Sequence, residues 1–230
     1  MILSHKHKFI FLKTKKTAGT SIEVALSKLC GDEDVITPLI GADERLRADG
    51  RGAQNWRRHG WWQSPRPLWK RRLFKVAAQD HGFYNHMTAA AAKALINDDT
   101  VWRSYFKFAF ERNPWDREVS YYHYCYRDAE TRPSFDRFIQ SDRRARLNNF
   151  EIYSLGGDVA VDFVGRYESL EDDLKHALSQ AGVDEDLPLP RAKGNFRKDG
   201  RTYREYYTPE TQRLVGAWYE PEIALLGYEF

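Results

Sequence analysis

The stretch from Lys13 to Ser21 reads Lys-Thr-Lys-Lys-Thr-Ala-Gly-Thr-Ser and connects a predicted strand to a predicted helix. The strand is the apolar run from Phe9 to Leu12. The helix is predicted by apolar residues at helical spacing, which are Ile22, Ala25, Leu26 and Leu29. A loop that carries lysines and hydroxyl groups into a helix N-terminus offers an anion positive charge, hydroxyl donors and unpaired backbone N–H groups. The stretch therefore predicts a phosphate site; the alternative is a basic solvated turn that happens to precede a helix.

This loop differs from the P-loop of nucleotide-binding proteins, which reads GxxxxGK[ST] and needs a glycine ahead of its lysine. No glycine precedes Lys16 in the chain, and Gly19 is the one glycine of the loop. The loop therefore predicts an anion site that is built differently from a P-loop.

Length and composition favour a single domain. The chain has 230 residues, of which 42% are hydrophobic and 30% are charged, as in a soluble α/β protein with a substantial core. No apolar run approaches the roughly 18 residues that span a bilayer, and the N-terminus lacks the pattern of a signal peptide. Cys30 and Cys125 are too few for a disulfide framework and are predicted to be buried thiols. These features predict a cytoplasmic protein in a reducing compartment.

The positive charge is concentrated in one segment. Residues 51–75 contain eight Lys or Arg, no Asp or Glu, and four of the seven tryptophans of the chain. Many glycines and prolines across about 41–75 predict an insertion within a single domain of residues 1–230, placed where it could cover a site. Basic groups among aromatic rings can bind an anionic sugar polymer, a single-stranded nucleic acid or a lipid surface. The alternative is an insertion whose tryptophans pack on the domain while its charges face water.

A second junction of a strand with a helix carries another cation. The alternating aromatic run from Phe106 to Phe110 predicts a strand, and Asn113 and Pro114 are a good N-cap and first helical residue. Arg112 lies at the tip of this strand, where Ser120 of the following helix could share an anion with it. The carboxyl edge of a parallel sheet is where such a site belongs.

His86 lies at the entry to a predicted helix from Ala89 to Ile96, for which Thr88 is a plausible N-cap. A histidine in this position can be a general base with a pKa near neutrality, or a surface or capping histidine. Both interpretations stay open, and His81 is the second candidate for a base.

The last part of the chain predicts a third strand, from Val159 to Val164, and an amphipathic helix from Glu171 to Ala181. A basic loop follows from Arg191 to Arg204, in which Arg197 and Lys198 stand near glycines that would let the backbone approach a phosphate. The alternative for this loop is a solvated basic segment.

Two of these motifs resemble a known family. The run from Lys16 to Ser21 resembles the 5′-phosphosulfate loop, and the run from Arg112 to Arg117 with Ser120 resembles the 3′-phosphate motif, of sulfotransferases that use 3′-phosphoadenosine 5′-phosphosulfate (PAPS). The likeness is to the carbohydrate branch, which includes heparan sulfate 2-O-sulfotransferase. The runs from Arg166 to Leu170 and from Gly227 to Phe230 are also similar to that branch. The resemblance implies an α/β, P-loop-NTPase-like three-layer fold with a central, mainly parallel sheet flanked by helices.

The resemblance also implies roles for single residues. Lys16 would be catalytic, in contact with the 5′-phosphosulfate and its bridging oxygen. Further contacts to this part of the cofactor would come from the loop and the helix start, at Thr17, Ala18, Gly19, Thr20 and Ser21. Arg112 and Ser120 would hold the 3′-phosphate, and Arg197 or Lys198 would close over it.

His86 stands where 2-O-sulfotransferases place a histidine base. The chain departs from its relatives just before Lys16, where an apolar residue and a proline are usual, so that Lys13 competes with Lys16 as the phosphate lysine. Golgi-resident relatives have a membrane anchor, and its absence here suggests a bacterial cytosolic enzyme or a trimmed chain.

The implied reaction is transfer of the sulfuryl group of PAPS to a hydroxyl of a carbohydrate or glycoconjugate acceptor, neutral or anionic. No metal and no nucleic-acid partner is expected, and the seven histidines show no metal-ligand spacing. Two other functions stay open. One is a nucleotide or small-molecule kinase of similar fold, and the other is a non-catalytic module that binds an anionic polymer through Arg51 to Lys75.

Overall fold

The centre of the protein is a five-stranded sheet in the order β3-β1-β2-β4-β7. A computed structural model describes residues 1–39, 41–57, 82–141, 147–190 and 199–230. The strands are β1 (Ile2–Ser4), β2 (Phe9–Leu12), β3 (Val35–Ile36), β4 (Phe106–Glu111), β5 (Ser154–Leu155), β6 (Asp158–Val159) and β7 (Phe163–Arg166). Strands β2, β4 and β7 are parallel, and β1 is antiparallel to both β2 and β3.

The helices follow the strands in the predicted order. They are α1 (Gly19–Ser27), α2 (Ala89–Ile96), α3 (Asp99–Ser104), α4 (Pro114–Cys125), α5 (Phe135–Ile139), α6 (Phe150–Tyr153), α7 (Leu170–Gln180), α8 (Pro209–Trp218) and α9 (Glu220–Leu226). The predicted caps are present: Thr88 accepts a hydrogen bond from a backbone N–H of α2, and Asn113 does the same for α4. Local side chains therefore fix the start of α2 and of α4.

The sheet is covered by helices on both faces, as the α/β three-layer expectation requires. Successive residues of a strand point to opposite faces. One face packs with α2, through a cluster that includes Ile10, Leu12, Ala109, Ala89 and Ala92. The other face packs with α1 and α7, through a cluster that includes Phe9, Phe11, Phe108, Phe110, Ile22, Leu26, Leu174 and Leu178. Burial of both faces explains why these strands read as continuous apolar runs.

The third strand differs from its prediction. It begins at Phe163, because the residues before it form a hairpin of β5 and β6 that turns through Gly156 and Gly157 at positive φ. The alternation from Val159 to Val164 therefore spans the end of the hairpin and the start of β7. The predicted bounds of this strand are wrong, although its carboxyl end reaches the sheet edge as expected.

The structure describes both cysteines but only part of the basic insertion. Both cysteines are free; Cys30 is buried and Cys125 partly buried, and burial raises the pKa of Cys30 to about 12. Residues 58–75 of the basic insertion predicted at about 41–75 lie outside the described residues, and so does His81. Across the described ranges, no helix is both long and apolar enough to cross a membrane.

Candidate active site

A cleft of about 1200 Å³ runs along the carboxyl ends of the parallel strands. It is lined by the segments that follow β2, β4 and β7, as is usual for the ligand site of an open parallel sheet. Most of the predicted site residues lie in it: Lys13, Lys16, Ala18, Gly19, Thr20, Ser21, His86, Arg112 and Ser120. The structure therefore brings the two predicted phosphate motifs and His86 to one cleft. Arg197 and Lys198 lie outside the described residues.

The loop after β2 has the backbone shape of an anion site. Lys16 and Ala18 are both left-handed, with φ of 64° and 57°, and Thr17 between them is not. Such alternation turns successive N–H groups toward one side and forms an anion-binding concavity. Helix α1 then starts at Gly19 without a side-chain cap and without an acidic residue in its first turn. The backbone of the loop, without a glycine-rich sequence, is therefore compatible with the predicted anion site.

Thr17 is the exception among the predicted loop residues, since it does not line the cleft. Its buried hydroxyl lies 2.7 Å from the hydroxyl of Thr14, which donates to the carbonyl oxygen of Phe110 in β4. The two threonines therefore tie the loop to the neighbouring strand. A contribution of Thr17 to an anion would have to come from its backbone.

The two competing lysines have different surroundings. The ammonium of Lys13 lies 2.6 Å from Glu23, and the two side chains are 6% and 0% exposed. The stem of Lys13 passes beneath Gly19, where an added Cβ would lie 2.7 Å from its Cγ. Lys16 is partly exposed, and its ammonium lies 4.4 Å from the centre of the Tyr124 ring. Lys13 thus belongs to a buried ion pair under the loop, whereas Lys16 extends along the wall of the cleft.

Arg112 connects three elements at the second predicted anion site. Its Nε and Nη2 donate to Asp116 at 2.9 and 2.6 Å, which confirms that the guanidinium turns toward the start of α4. Its Nη1 lies 3.4 Å from the carbonyl oxygen of Lys16, and Tyr167 stacks on the guanidinium at 4.1 Å. Ser120 lines the same cleft. A guanidinium has five N–H donors, so these contacts orient it and leave it the capacity to bind an anion.

The ring of His86 is held by the same loop. Its Nδ1 lies 3.0 Å from the carbonyl oxygen of Lys13. A carbonyl oxygen only accepts, so Nδ1 carries the proton and Nε2 has the lone pair of a neutral imidazole. Burial, followed by the charge of Lys13, lowers the pKa of His86 to about 3. At neutral pH the imidazole is therefore neutral, with its lone pair on Nε2. The pKa lies well below the near-neutral value that the sequence suggested for a base, because the ring is buried beside a cation, so the unliganded side chain is a weak base.

We expect acid to weaken the fold through His86. The pKa is about 3 in the folded protein and 6.5 for an ordinary histidine, so between these values the unfolded chain binds the extra proton and stability falls as the pH falls. Above about pH 6.5 neither state is protonated and the contribution disappears. Denaturant unfolding at about pH 7 and pH 5 tests this: the wild type should lose more stability than His86→Gln. Equal losses of stability in the wild type and in His86→Gln would contradict the low pKa assigned to His86.

Two aromatic contacts were not predicted from the sequence. Tyr124 lies under Lys16 and Tyr167 lies on Arg112. The first could have been found, since Tyr124 follows Ser120 by one helical turn and shares its face of α4. The second contact joins residues from separate strand ends, and no local signal reports it.

These features have a counterpart among known proteins. The model of the family described as "Sulfotransferase family" matches residues 1–229. The chain belongs to the sulfotransferase family. An uncharacterized protein of Archaeoglobus fulgidus is 38% identical to this sulfotransferase over 105 residues, which are 43% of this chain and 88% of that protein. No solved structure matches the sequence.

Family membership makes this sulfotransferase a transferase of sulfuryl groups. PAPS is the donor that the family generally uses. In the described ranges, no three or more His, Cys, Asp and Glu side chains are grouped so that they could hold a metal ion.

Proposed function

We propose that this sulfotransferase transfers the sulfuryl group of PAPS to a hydroxyl of a carbohydrate or glycoconjugate acceptor. The observation that supports this best is the shared cleft, onto which the Lys16 loop, the Arg112 and Ser120 pair, and His86 all open. Two anion sites at neighbouring strand ends suit a nucleotide that is phosphorylated at two places. The imidazole at the same loop suits a reaction that removes a hydroxyl proton.

The donor is assigned to the two anion sites in one orientation. Its 5′-phosphosulfate lies on the loop after β2 and on the N-terminus of α1, whose dipole favours negative charge. This half of the site consists of Lys16, Ala18, Gly19, Thr20 and Ser21, with the backbone of Thr17. Lys13 lies beneath it in its ion pair with Glu23 and is the alternative phosphate lysine. The 3′-phosphate lies between Arg112 and Ser120, with Arg197 or Lys198 as further ligands.

The reaction is an in-line displacement at sulfur. Nε2 of His86 takes the proton of the acceptor hydroxyl, the acceptor oxygen forms a bond to sulfur, and the bond from sulfur to the 5′-phosphate oxygen breaks. The products are the sulfated acceptor, 3′-phosphoadenosine 5′-phosphate (PAP) and protonated His86. Lys16 and the N–H groups of α1 stabilise the charge that develops on the leaving phosphate. Positioning and electrostatics supply most of the acceleration, as in phosphoryl transfer.

The acceptor is assigned to the end of the cleft next to His86. Leu39, Asp43 and Asn85 line the cleft and come from segments on the β3 and β1 side of the loop. A carboxylate and a carboxamide beside an apolar side chain suit the hydroxyl groups and C–H faces of a sugar. Transfer of label from PAPS to a panel of carbohydrates tests the whole assignment. Failure of the wild type to bind PAP would overturn it, and ATP that competes at similar affinity would favour a kinase.

Arg112→Ala should weaken PAP binding by about 10- to 100-fold, the usual range for one charge-assisted bond. The sharper test compares PAP with adenosine 5′-monophosphate, which lacks the 3′-phosphate. Titration calorimetry should show that the substitution reduces affinity for PAP and leaves affinity for the monophosphate nearly unchanged. Arg103→Ala, at an arginine that is 79% exposed on α3, is the matched control and should bind PAP like the wild type. Equal losses for both nucleotides would remove Arg112 from the 3′-phosphate site.

A further inference from the structure

Asn149 lies at the N-cap of α6 but does not cap it. Asparagine is among the strongest N-cap residues, because its side-chain oxygen accepts from the first free N–H groups of a helix. Here the helix has no side-chain cap, and Asn149 is completely buried. The side chain therefore makes its hydrogen bonds elsewhere.

The carboxamide of Asn149 pairs with the backbone of Lys15, a residue 134 positions away in the chain. The N–H of Lys15 donates to Oδ1 at 2.9 Å, and Nδ2 donates to the carbonyl oxygen of Lys15 at 3.0 Å. These two bonds engage both backbone groups of the residue just before Lys16. A backbone held in this way cannot change the orientation of the following peptide without breaking a buried bond.

The same carboxamide connects the loop to the second anion site. Nδ2 of Asn149 also donates to Glu111 at 3.1 Å. Glu111 is the last residue of β4 and is completely buried. Its Oε1, the oxygen that accepts from Asn149, also accepts from the N–H of Arg112 at 3.0 Å. Arg117, in the first turns of α4 and also completely buried, donates to this oxygen as well. One carboxylate oxygen thus joins the phosphosulfate loop, the backbone of Arg112 and helix α4.

We propose that Asn149 and Glu111 are positioning residues that hold the Lys16 loop and Arg112 at a fixed separation, so that one nucleotide reaches both anion sites. This inference rests on the proposed function. Neither side chain lines the cleft, so both act through the residues they hold. Preorganised donors do not need to be reoriented when the nucleotide binds, and this raises the affinity for it.

Asn149→Ala tests the proposal, with Asn148→Ala as the matched control, because Asn148 is the adjacent asparagine and is exposed. Loss of the two loop bonds should weaken PAP binding by about 10- to 100-fold. The KM for PAPS should rise and kcat should fall together, while the KM for the acceptor stays within about twofold. Asn148→Ala should match the wild type in all four constants: the PAP affinity, both KM values and kcat. A variant with intact folding and wild-type PAP affinity would overturn the proposal.

Two further measurements cover a variant that folds poorly. Asn149→Leu keeps the branching at Cγ and the number of non-hydrogen atoms and removes the hydrogen bonds, and it should show the same loss of PAP affinity. In the unliganded wild type, hydrogen exchange of the Lys15 amide should be slow, since it donates to a buried oxygen. Fast exchange of the Lys15 amide would overturn the positioning role of Asn149 without the need for any substitution. If the wild type itself does not bind PAP, the proposed function fails. If the wild type binds PAP and the Asn149 variants bind it equally well, only the positioning role fails.

Discussion

We expect His86→Ala to lower kcat by about 10²- to 10⁴-fold, the usual contribution of a general base. The affinity for PAP should change little, because the imidazole is assigned to the acceptor proton and not to the nucleotide. Single-turnover kinetics with labelled PAPS, combined with calorimetry of PAP binding, separates the two effects. His5→Ala is the control, since His5 is exposed and bonds to Tyr105 outside the cleft.

The pKa of His86 provides a second readout. Without a ligand, burial and the charge of Lys13 lower this pKa to about 3. A bound phosphosulfate brings negative charge that opposes both effects, so the pKa should rise on nucleotide binding. Titration of the imidazole by nuclear magnetic resonance, with and without PAP, measures this. If His86→Ala turns over at the wild-type rate, the role of base passes to His81.

Lys16→Ala should lower kcat by about 10²- to 10³-fold, since removal of one group that stabilises developing charge usually costs this much. The thermal midpoint should stay close to that of the wild type, because Lys16 lies on the cleft wall and contacts Tyr124 through a cation–π interaction that is worth little when exposed. Lys28→Ala, at an exposed lysine at the other end of α1, is the control for a loss of positive charge.

Comparison with Lys13→Ala decides between the two lysines. Loss of the Lys13 ammonium removes one partner from buried Glu23, which keeps the N-terminal ammonium and Arg47 beside it. We expect this to destabilise the fold by about 1.5–3 kcal/mol, the usual cost of one hydrogen bond to a charged group. Lys16→Ala should instead reduce turnover in a stable protein. Thermal denaturation and kcat measured on both variants give opposite patterns under this assignment. If Lys13→Ala is stable but inactive and Lys16→Ala is active, Lys13 is the phosphate lysine.

The parts of the site with local signals could be predicted from the sequence. Asn113 and Pro114 mark the start of α4, and Thr88 marks the start of α2, because caps act within one helical turn. The position of Arg112 at a strand tip followed from the aromatic alternation of β4. The family resemblance added the roles of these residues, and the family match to residues 1–229 confirms its coarse form.

The rest depends on contacts between distant parts of the chain. Nothing near Lys13 in the sequence shows that its ammonium pairs with Glu23, because the chain must first turn from β2 into α1 to bring the two groups together. Asn149 looks like an ordinary helix cap until the loop after β2 is placed beside it. The short hairpin before β7 was missed since its strands have two residues each, too few for a period to be read.

The loop after β2 has one more consequence, which concerns length rather than composition. The carbonyl oxygen of Lys13 holds His86, and the carbonyl oxygen of Lys16 receives Arg112. These carbonyls are three residues apart, and a chain of that length spans at most about 11 Å. Covalent geometry therefore limits how far the two anchor points can separate, whatever side chains the loop carries. Substitutions in this loop can tune charge, whereas inserting or deleting one residue would change the spacing between His86, proposed to act on the acceptor, and Arg112, proposed to bind the nucleotide.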